Sequence, residues 1–169
     1  EGKPSSFLGG RGTHWKVSWQ LIKERPWFEP HSLGLGWIRP LVGYGPELFR
    51  PTYLLKSPAE GNNSLPLEPD HAHNFFIHQA VEQGVLGFLS AICMFVAAFA
   101  VGAYLLLRAR NADSLFYALV IIGLITAVAG RFLEMMFGVA RISDLTVLWV
   151  LLATMIALPT IMHRPDSPG

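Results

Sequence analysis

A run of 23 residues at 85–107, VLGFLSAICMFVAAFAVGAYLLL, contains no charged side chain. A helix needs about 20 apolar residues to cross the roughly 30 Å hydrocarbon core of a bilayer, so this run is long enough to span a membrane. Two further apolar runs follow it, at 115–137 and 145–162. The sequence therefore predicts an all-α polytopic membrane protein with three C-terminal transmembrane helices.

The charged residues lie mostly before these spans. The first 73 residues carry eight Lys/Arg and seven Asp/Glu, whereas the remaining 96 carry five of each. The net charge of +1 gives no electrostatic reason to expect a nucleic-acid partner. Arginines follow the first span, and His163 and Arg164 follow the third. Basic loops favour the cytoplasm, so the segment 1–73 is predicted outside it. Because the chain begins with Glu, we expect the C-terminal part of a longer protein whose earlier spans are missing.

The segment before the first span is predicted to contain an amphipathic helix. Trp15, Trp19 and Ile22 recur at i, i+4 and i+7, and the lysines lie off this stripe. Tryptophan and lysine together are typical of a helix in the bilayer interface. The predicted organisation begins with an extracytoplasmic loop at 1–73, which contains the amphipathic helix at about 13–25 and a Gly/Pro-rich loop at 26–69. The three spans follow at 74–107 (including the helix start), 115–137 and 145–162. They are joined by a cytoplasmic turn at 108–114 and an outer turn at 138–144, and a cytoplasmic tail follows at 163–169.

The densest set of titratable groups lies in DHAHNFFIHQAVEQGVLG, which runs directly into the first span. Asn74 is a good N-cap for a helix that continues into the span, which places His78 and Glu82 four residues apart on one face. His71 and His73 then lie beside the free N–H groups of the helix start, where an anionic group binds well. Histidine can also accept a proton near neutral pH.

The residues alone leave three interpretations of this stretch open. The polar side chains could solvate a helix end at the interface. They could bind a metal, since the two histidines before the helix join Asp70, His78 and Glu82 as possible ligands, although the spacing matches no strong metal signature. They could also form a catalytic or anion-binding site at the membrane surface. Gly84 and Gly87 would allow a neighbouring helix or ligand to approach closely.

The motifs resemble those of the O-antigen ligase and O-antigen polymerase superfamily. His73-Asn74, nine residues and Gly84-x-x-Gly87 match its histidine pattern, and GGRGTHW is similar to the Arg-x-x-x-Trp at the start of its large outer loop, with Arg11 and Trp15. RPLVGYGPELF resembles its Pro-x-x-Gly-x-Gly-Pro turn, and FLEMMFGVARISDLTVLWVLLA resembles its closing spans. The chain departs from the pattern at WFEPHSLGLGWI, so either GLG or GYG is the equivalent glycine turn.

The resemblance implies transfer of a glycan from a polyprenyl-diphosphate-linked donor to a lipid, glycan or protein acceptor outside a bacterial inner membrane. It implies His73 as the base and Arg11 as the residue that binds the diphosphate, with no metal and no cofactor. The other expected substrate-binding residues are Asn74, His71, Arg50, Glu82, Gly84 and Gly87. Arg50, Arg39 and Arg25 are lesser candidates for binding the diphosphate.

The alternatives to this function are a membrane transporter, a glycan-binding subunit and a metal-dependent membrane hydrolase. Transporters place polar groups near the middle of the membrane, whereas the charges here cluster at the ends of the spans. Arg131 and Glu134 are expected to form a structural ion pair. His14 and His31 are expected at the surface.

Overall fold

The computed structural model describes residues 9–26, 37–56, 69–109 and 115–162, which form helices and turns without a strand. The helices are α1 Gly9–Glu24, α2 Arg39–Val42, α3 Phe49–Tyr53, α4 Phe75–Glu82, α5 Gly84–Ala109, α6 Leu115–Phe137 and α7 Ile142–Met162. The chain divides into two compact units. The first is Glu1–Ile92 with Met135–Val139, and the second is Cys93–Glu134 with Ala140–Gly169.

Three of the helices are long and apolar enough to cross a membrane, as predicted. They are Gly84–Ala109, Leu115–Phe137 and Ile142–Ile161. Large apolar side chains such as Val96, Leu119 and Ile156 are exposed along them. In a membrane, lipid or neighbouring spans would cover the exposed apolar surface of helices of this length.

The second unit is held together by close packing and by ion pairs. A Cβ added at Gly102 of α5 would lie 2.6 Å from the side chain of Ile125, so α5 and α6 approach closely there. Arg131 pairs with Glu134 on α6, and its Nη2 lies 3.1 Å from Oδ1 of Asp144 on α7. The predicted ion pair is therefore confirmed, and it extends to a third residue that links two helices.

The first unit has its own apolar core, in which α1 packs against α3 and α4. The buried core residues are Val17, Leu21, Tyr44, Phe49, Tyr53, Ala72 and Val81. A helix, α1, covers the segment predicted to be amphipathic at about 13–25 and begins four residues earlier, while its amphipathic character stays a prediction. Its buried positions are Val17, Ser18 and Leu21, whereas Trp19 is 65% exposed. The position of α1 in a bilayer interface stays a prediction.

The helix predicted to run unbroken from Asn74 into the first span is divided in two. Gly84 adopts a φ of +65°, which ends α4 before α5 begins. The turn GYG packs against this break: the N–H of Tyr44 donates to the Val81 carbonyl at 3.1 Å, and the N–H of Gly45 donates to that of Glu82 at 2.8 Å. These two bonds anchor the glycine turn to the C-terminal end of α4.

Candidate functional site

His73 lies at the last turn before α4, in a left-handed backbone conformation with a φ of +52°. Few residues other than glycine adopt this conformation, and such positions cluster at functional sites. The next residue, Asn74, accepts a hydrogen bond from the N–H of Ile77 through Oδ1 at 3.0 Å, so it is the N-cap that the sequence predicted. Ala72 is fully buried. A buried residue on one side and a capped helix on the other therefore fix the backbone of His73.

The imidazole of His73 stacks on that of His14 from α1. The two ring centroids are 5.7 Å apart and the planes differ by 19°. Nδ1 of His14 lies 3.0 Å from the hydroxyl of Tyr53, which fixes the ring from α3. Burial, and then the neighbouring His73, lower the pKa of His14 below its ordinary value of 6.5. His14 is therefore neutral at pH 7.

The expectation that His14 lies at the surface is wrong, because its side chain is half-buried between His73 and Tyr53. The contact between His14 and His73 cannot be predicted from the sequence, since a single histidine near the start of a helix, 59 residues before His73, forms no recognisable spacing pattern with it. Tyr53 was missed for the same reason. The expectation for His31 concerns a residue outside those that the structure describes.

A second group of polar side chains surrounds Glu82. Glu82 is buried, and its carboxylate accepts a hydrogen bond from the N–H of Phe49 at 3.1 Å through Oε1. Its Oε2 lies 3.4 Å from Nε2 of His78, on the helix face that the four-residue spacing predicts. Burial by itself would raise the pKa of Glu82, but His78 and the N–H groups of Phe49 and Glu47 outweigh it, so the pKa lies below its ordinary value. Glu82 is therefore ionised at pH 7.

His78 is held between two rings. Its centroid lies 4.9 Å from that of Phe49 and 5.0 Å from that of His71. Burial, and then the neighbouring His78, lower the pKa of His71 by more than the carboxylates of Asp70, Glu82 and Glu47 raise it, which leaves His71 neutral at pH 7. His71 and His73 thus contact different groups, although only the buried Ala72 separates them along the chain.

A polar cleft of about 330 Å³ joins these residues to the surface. It is lined by Glu47, Arg50, Asp70, His71, His78 and Glu82. Nη1 of Arg50 lies 3.8 Å from Oδ1 of Asp70, and both side chains are well exposed. The cleft therefore has a buried floor at Glu82 and an exposed rim at Arg50 and Asp70. The sequence singled out Arg50, His71 and Glu82 as substrate-binding residues, and the structure brings these three together.

Of the other arginines that the sequence singled out, two lie at an apolar groove of the first unit and the side chain of the third lies outside the described residues. Arg25 and Arg39 line an apolar groove of about 170 Å³, together with Trp19, Leu21, Ile22, Pro40, Gly43, Tyr44, Ala80, Val81, Gly84, Val85 and Phe88. The backbone of Arg11 belongs to α1, but its side chain lies outside the described residues. The prediction that Arg11 binds the diphosphate therefore stays a prediction.

The predicted glycines have a packing function in the fold. A Cβ at Gly84 would lie 2.5 Å from the Leu41 carbonyl oxygen, and one at Gly43 would lie 2.5 Å from the amide nitrogen of Gly84. A Cβ at Gly87 would lie 2.2 Å from that of Gln83. The close approach predicted at Gly84 is thus made by the GYG turn, while the GLG sequence lies outside the described residues. Direct contact of Gly84, Gly87 or Asn74 with substrate stays a prediction.

The histidines and carboxylates do not converge as a metal site in the part of the chain that the structure describes. There, no three or more His, Cys, Asp or Glu side chains are grouped so that they could hold one ion. The arrangement instead offers an imidazole at a strained turn, a polar cleft with a buried carboxylate and an apolar groove that includes two arginines. Together these features can serve proton transfer, hydroxyl recognition and the binding of an anionic lipid.

Comparison with known protein families gives a match to the family described as O-antigen ligase, over residues 2–92. This range is more than half of the chain, and it contains the complete pattern from His73 to Gly87 as well as Arg11. Neither the curated proteins nor the solved structures give a match.

Proposed function

Because the chain belongs to the O-antigen ligase family, we propose that it is the C-terminal part of a membrane enzyme that transfers a glycan outside the membrane. The donor is a polyprenyl-diphosphate-linked glycan, and the acceptor is a lipid, a glycan or a protein. The observation that carries this proposal is the family match, which spans the histidine pattern and both polar groups of the first unit. The three apolar helices agree with a multi-pass membrane protein.

His73 is the base in this proposal. The acceptor hydroxyl gives its proton to the imidazole as its oxygen attacks the anomeric carbon of the donor sugar. The bond from that carbon to the diphosphate breaks, and its electron pair leaves with the diphosphate oxygen. A base needs a ring held in a fixed position, and the strained turn and the stacking of His14 on His73 support this.

Arginine binds the departing diphosphate. Its guanidinium is planar and always charged, and it can donate two parallel hydrogen bonds to phosphate oxygens. Arg11 occupies the position of the family motif. Arg25 and Arg39 are further candidates for binding the diphosphate, because both line the apolar groove. A polyprenyl diphosphate has an anionic head on an apolar chain, so its head would lie beside these arginines. We therefore assign the first isoprene units of the donor to this groove.

The transfer requires no cofactor, since no electrons pass to or from a redox partner. It is proposed to proceed without a metal, because arginine supplies the positive charge that the leaving group needs and the chain has no Asp-x-Asp pair. A chelator should then leave the transfer rate unchanged. Loss of transfer that added Mg²⁺ or Mn²⁺ restores would instead favour the metal-dependent alternative.

The enzyme would work in a bacterial inner membrane with its catalytic side outside the cytoplasm. Besides donor and acceptor, its partners would be membrane lipids and the earlier spans of the same protein. These spans would complete the donor site, so the fragment alone is expected to be inactive.

Deletion of the full-length gene tests the proposal. A ligase mutant should lose the glycan from its acceptor, whereas a polymerase mutant should carry a single unpolymerised unit. The wild-type gene should restore the surface polysaccharide, and the His73→Ala gene should not. An unchanged polysaccharide in the deletion strain would contradict glycan transfer by this protein.

A further inference from the structure

Glu82, the last residue of α4, makes its polar contacts with the chain just before and at the start of α3. Its Oε1 accepts the N–H of Phe49 at 3.1 Å, and the carboxylate also accepts the N–H of Glu47. Its Oε2 lies 3.4 Å from Nε2 of His78, and the side chain is only 8% exposed. A carboxylate with these partners has little accepting capacity or free surface left for a substrate hydroxyl.

The turn that Glu82 holds depends on this contact. The residue before α3 is Leu48, whose apolar side chain has no atom that could cap the helix. Glu47 has a φ of +61°, a left-handed conformation that is unfavourable for a residue with a Cβ. The first N–H groups of a helix need partners from outside it, and the Glu82 carboxylate supplies one for Phe49. Glu82 therefore fixes where α3 begins.

The helix α3 connects this contact with the proposed base. Phe49 and Tyr53 lie one helical turn apart on α3, and both are buried. The hydroxyl of Tyr53 lies 3.0 Å from Nδ1 of His14 on α1, and the ring of His14 stacks on that of His73. His73 directly precedes the N-cap of α4. The contacts thus lead from the end of α4 through α3 and α1 back to the start of α4, and a loosened contact at one end removes support from the other.

We propose that Glu82 is a positioning residue for His73 and acts through α3 and α1 rather than by contact with the substrate. The inference rests on the proposed glycan transfer, because it concerns the placement of the base in that reaction. A reacting group misplaced by about 1 Å can slow a reaction by about a hundredfold. Loss of the Glu82 contact should therefore lower kcat, whereas loss of a substrate contact that is equally strong before and during the reaction would raise KM.

Two matched variants test the proposal in the full-length enzyme with its lipid-linked donor. Glu82→Gln keeps the shape of the side chain and an oxygen that can accept from Phe49, but it removes the charge that strengthens these hydrogen bonds. Glu47→Gln is the control, because it makes the same chemical change in the same cleft while residue 47 contributes only its backbone N–H to the contact. We expect Glu82→Gln to lower kcat about tenfold with KM unchanged. Glu47→Gln should behave as the wild type.

A double-mutant cycle identifies the path between Glu82 and His73. His14→Phe removes the nitrogen that contacts Tyr53, so α3 no longer fixes the ring beside His73. In this background Glu82→Gln should lower kcat further by about twofold or less, because the path is already interrupted. If the two changes instead multiply in full, Glu82 acts by another route and the proposal is wrong.

Chemical modification of the histidines gives a readout that does not require glycan transfer. Diethyl pyrocarbonate reacts with accessible imidazole nitrogens, and mass spectrometry locates the modified residues. The ring of His14 is half-buried and has no direct contact with Glu82, so its reactivity reports on the path through α3. Its modification should be several-fold faster in Glu82→Gln than in Glu47→Gln, with both proteins folded at the assay temperature. Equal rates at His14 would overturn the proposal.

The outcomes distinguish this inference from the proposed function. If the wild type transfers glycan and Glu82→Gln raises KM while kcat is retained, Glu82 binds substrate, and the proposed function stands without the inference. If the wild type transfers no glycan but His14 becomes more reactive in Glu82→Gln, the path through α3 stands and the proposed function is wrong. If Glu82→Gln does not fold, Tyr53→Phe tests the same path by loss of one oxygen, and a kcat equal to that of the wild type would overturn the inference.

Discussion

Replacing Gly84 by alanine tests how the glycine turn positions the site. The φ of +65° is a left-handed conformation, which costs about 1–2 kcal/mol for a residue with a Cβ. The new Cβ would lie 2.5 Å from the Leu41 carbonyl oxygen and 2.6 Å from the amide nitrogen of Gly43. These are backbone atoms, so the turn itself must move, and its two hydrogen bonds to α4 would be weakened or lost.

The structure gives the size of this effect. Each of the two bonds, from Tyr44 to Val81 and from Gly45 to Glu82, contributes about 0.5–1.5 kcal/mol. Together with the backbone conformation, Gly84→Ala should destabilise the first unit by about 2–5 kcal/mol. Because the chain continues from the turn to Phe49, the contact between Phe49 and Glu82 should be disturbed as well.

The assay is thermal unfolding of the full-length protein in detergent, followed by tryptophan fluorescence, with limited proteolysis to locate the loosened segment. Gly12→Ala is the matched control, since Gly12 lies inside α1 and a Cβ there meets nothing within 4 Å. That variant should be neutral or stabilised by up to about 1 kcal/mol. A Gly84→Ala protein that unfolds at the same temperature as the control would refute the close backbone packing.

Three further predictions concern the titratable groups. His14→Phe should lower the rate of glycan transfer and change its pH profile, with little effect on donor binding. Tyr53→Phe should change the pH profile in the same direction by a smaller amount. Unchanged pH profiles in both variants would show that neither residue positions His73. Since the folded-state pKa values of His14 and His71 lie below 6.5, the unfolded chain binds more protons just below that pH. The melting temperature should therefore fall from about pH 7 to about pH 5.5, and less steeply in a His71→Gln variant; a flat curve would contradict the buried neutral histidines. Arg11→Lys should weaken donor binding measurably, because a point charge cannot make the two-bond contact; a fully active lysine variant would argue against a diphosphate contact by Arg11.

The sequence predicts the elements whose signals are local. The 23-residue uncharged run becomes α5 because length and composition alone decide whether a helix can cross a bilayer. Asn74 becomes an N-cap because its side chain reaches an N–H three residues ahead. The spacing of His78 and Glu82 predicts a shared helix face for the same reason. Each of these predictions depends on contacts within a few residues.

The sequence does not predict the contacts between distant segments. The stack of His14 on His73, the N–H that Phe49 donates to Glu82 and the packing of Gly43 against Gly84 all join residues more than 30 positions apart. Such pairs have no periodicity that a single sequence can reveal. The break between α4 and α5 was missed as well, because a glycine inside an apolar pattern is compatible with a continuous helix until the turn that packs on it is known.

The central claim is that His73 takes the proton of the acceptor. Its most direct test is the initial rate of glycan transfer by the purified full-length enzyme with its lipid-linked donor, compared between wild type and His73→Ala. A general base contributes about 10²–10⁴-fold to such a rate. We therefore expect at least a hundredfold loss of kcat in the variant, with donor binding and melting temperature retained. A folded His73→Ala enzyme that transfers glycan within a fewfold of the wild-type rate would contradict it.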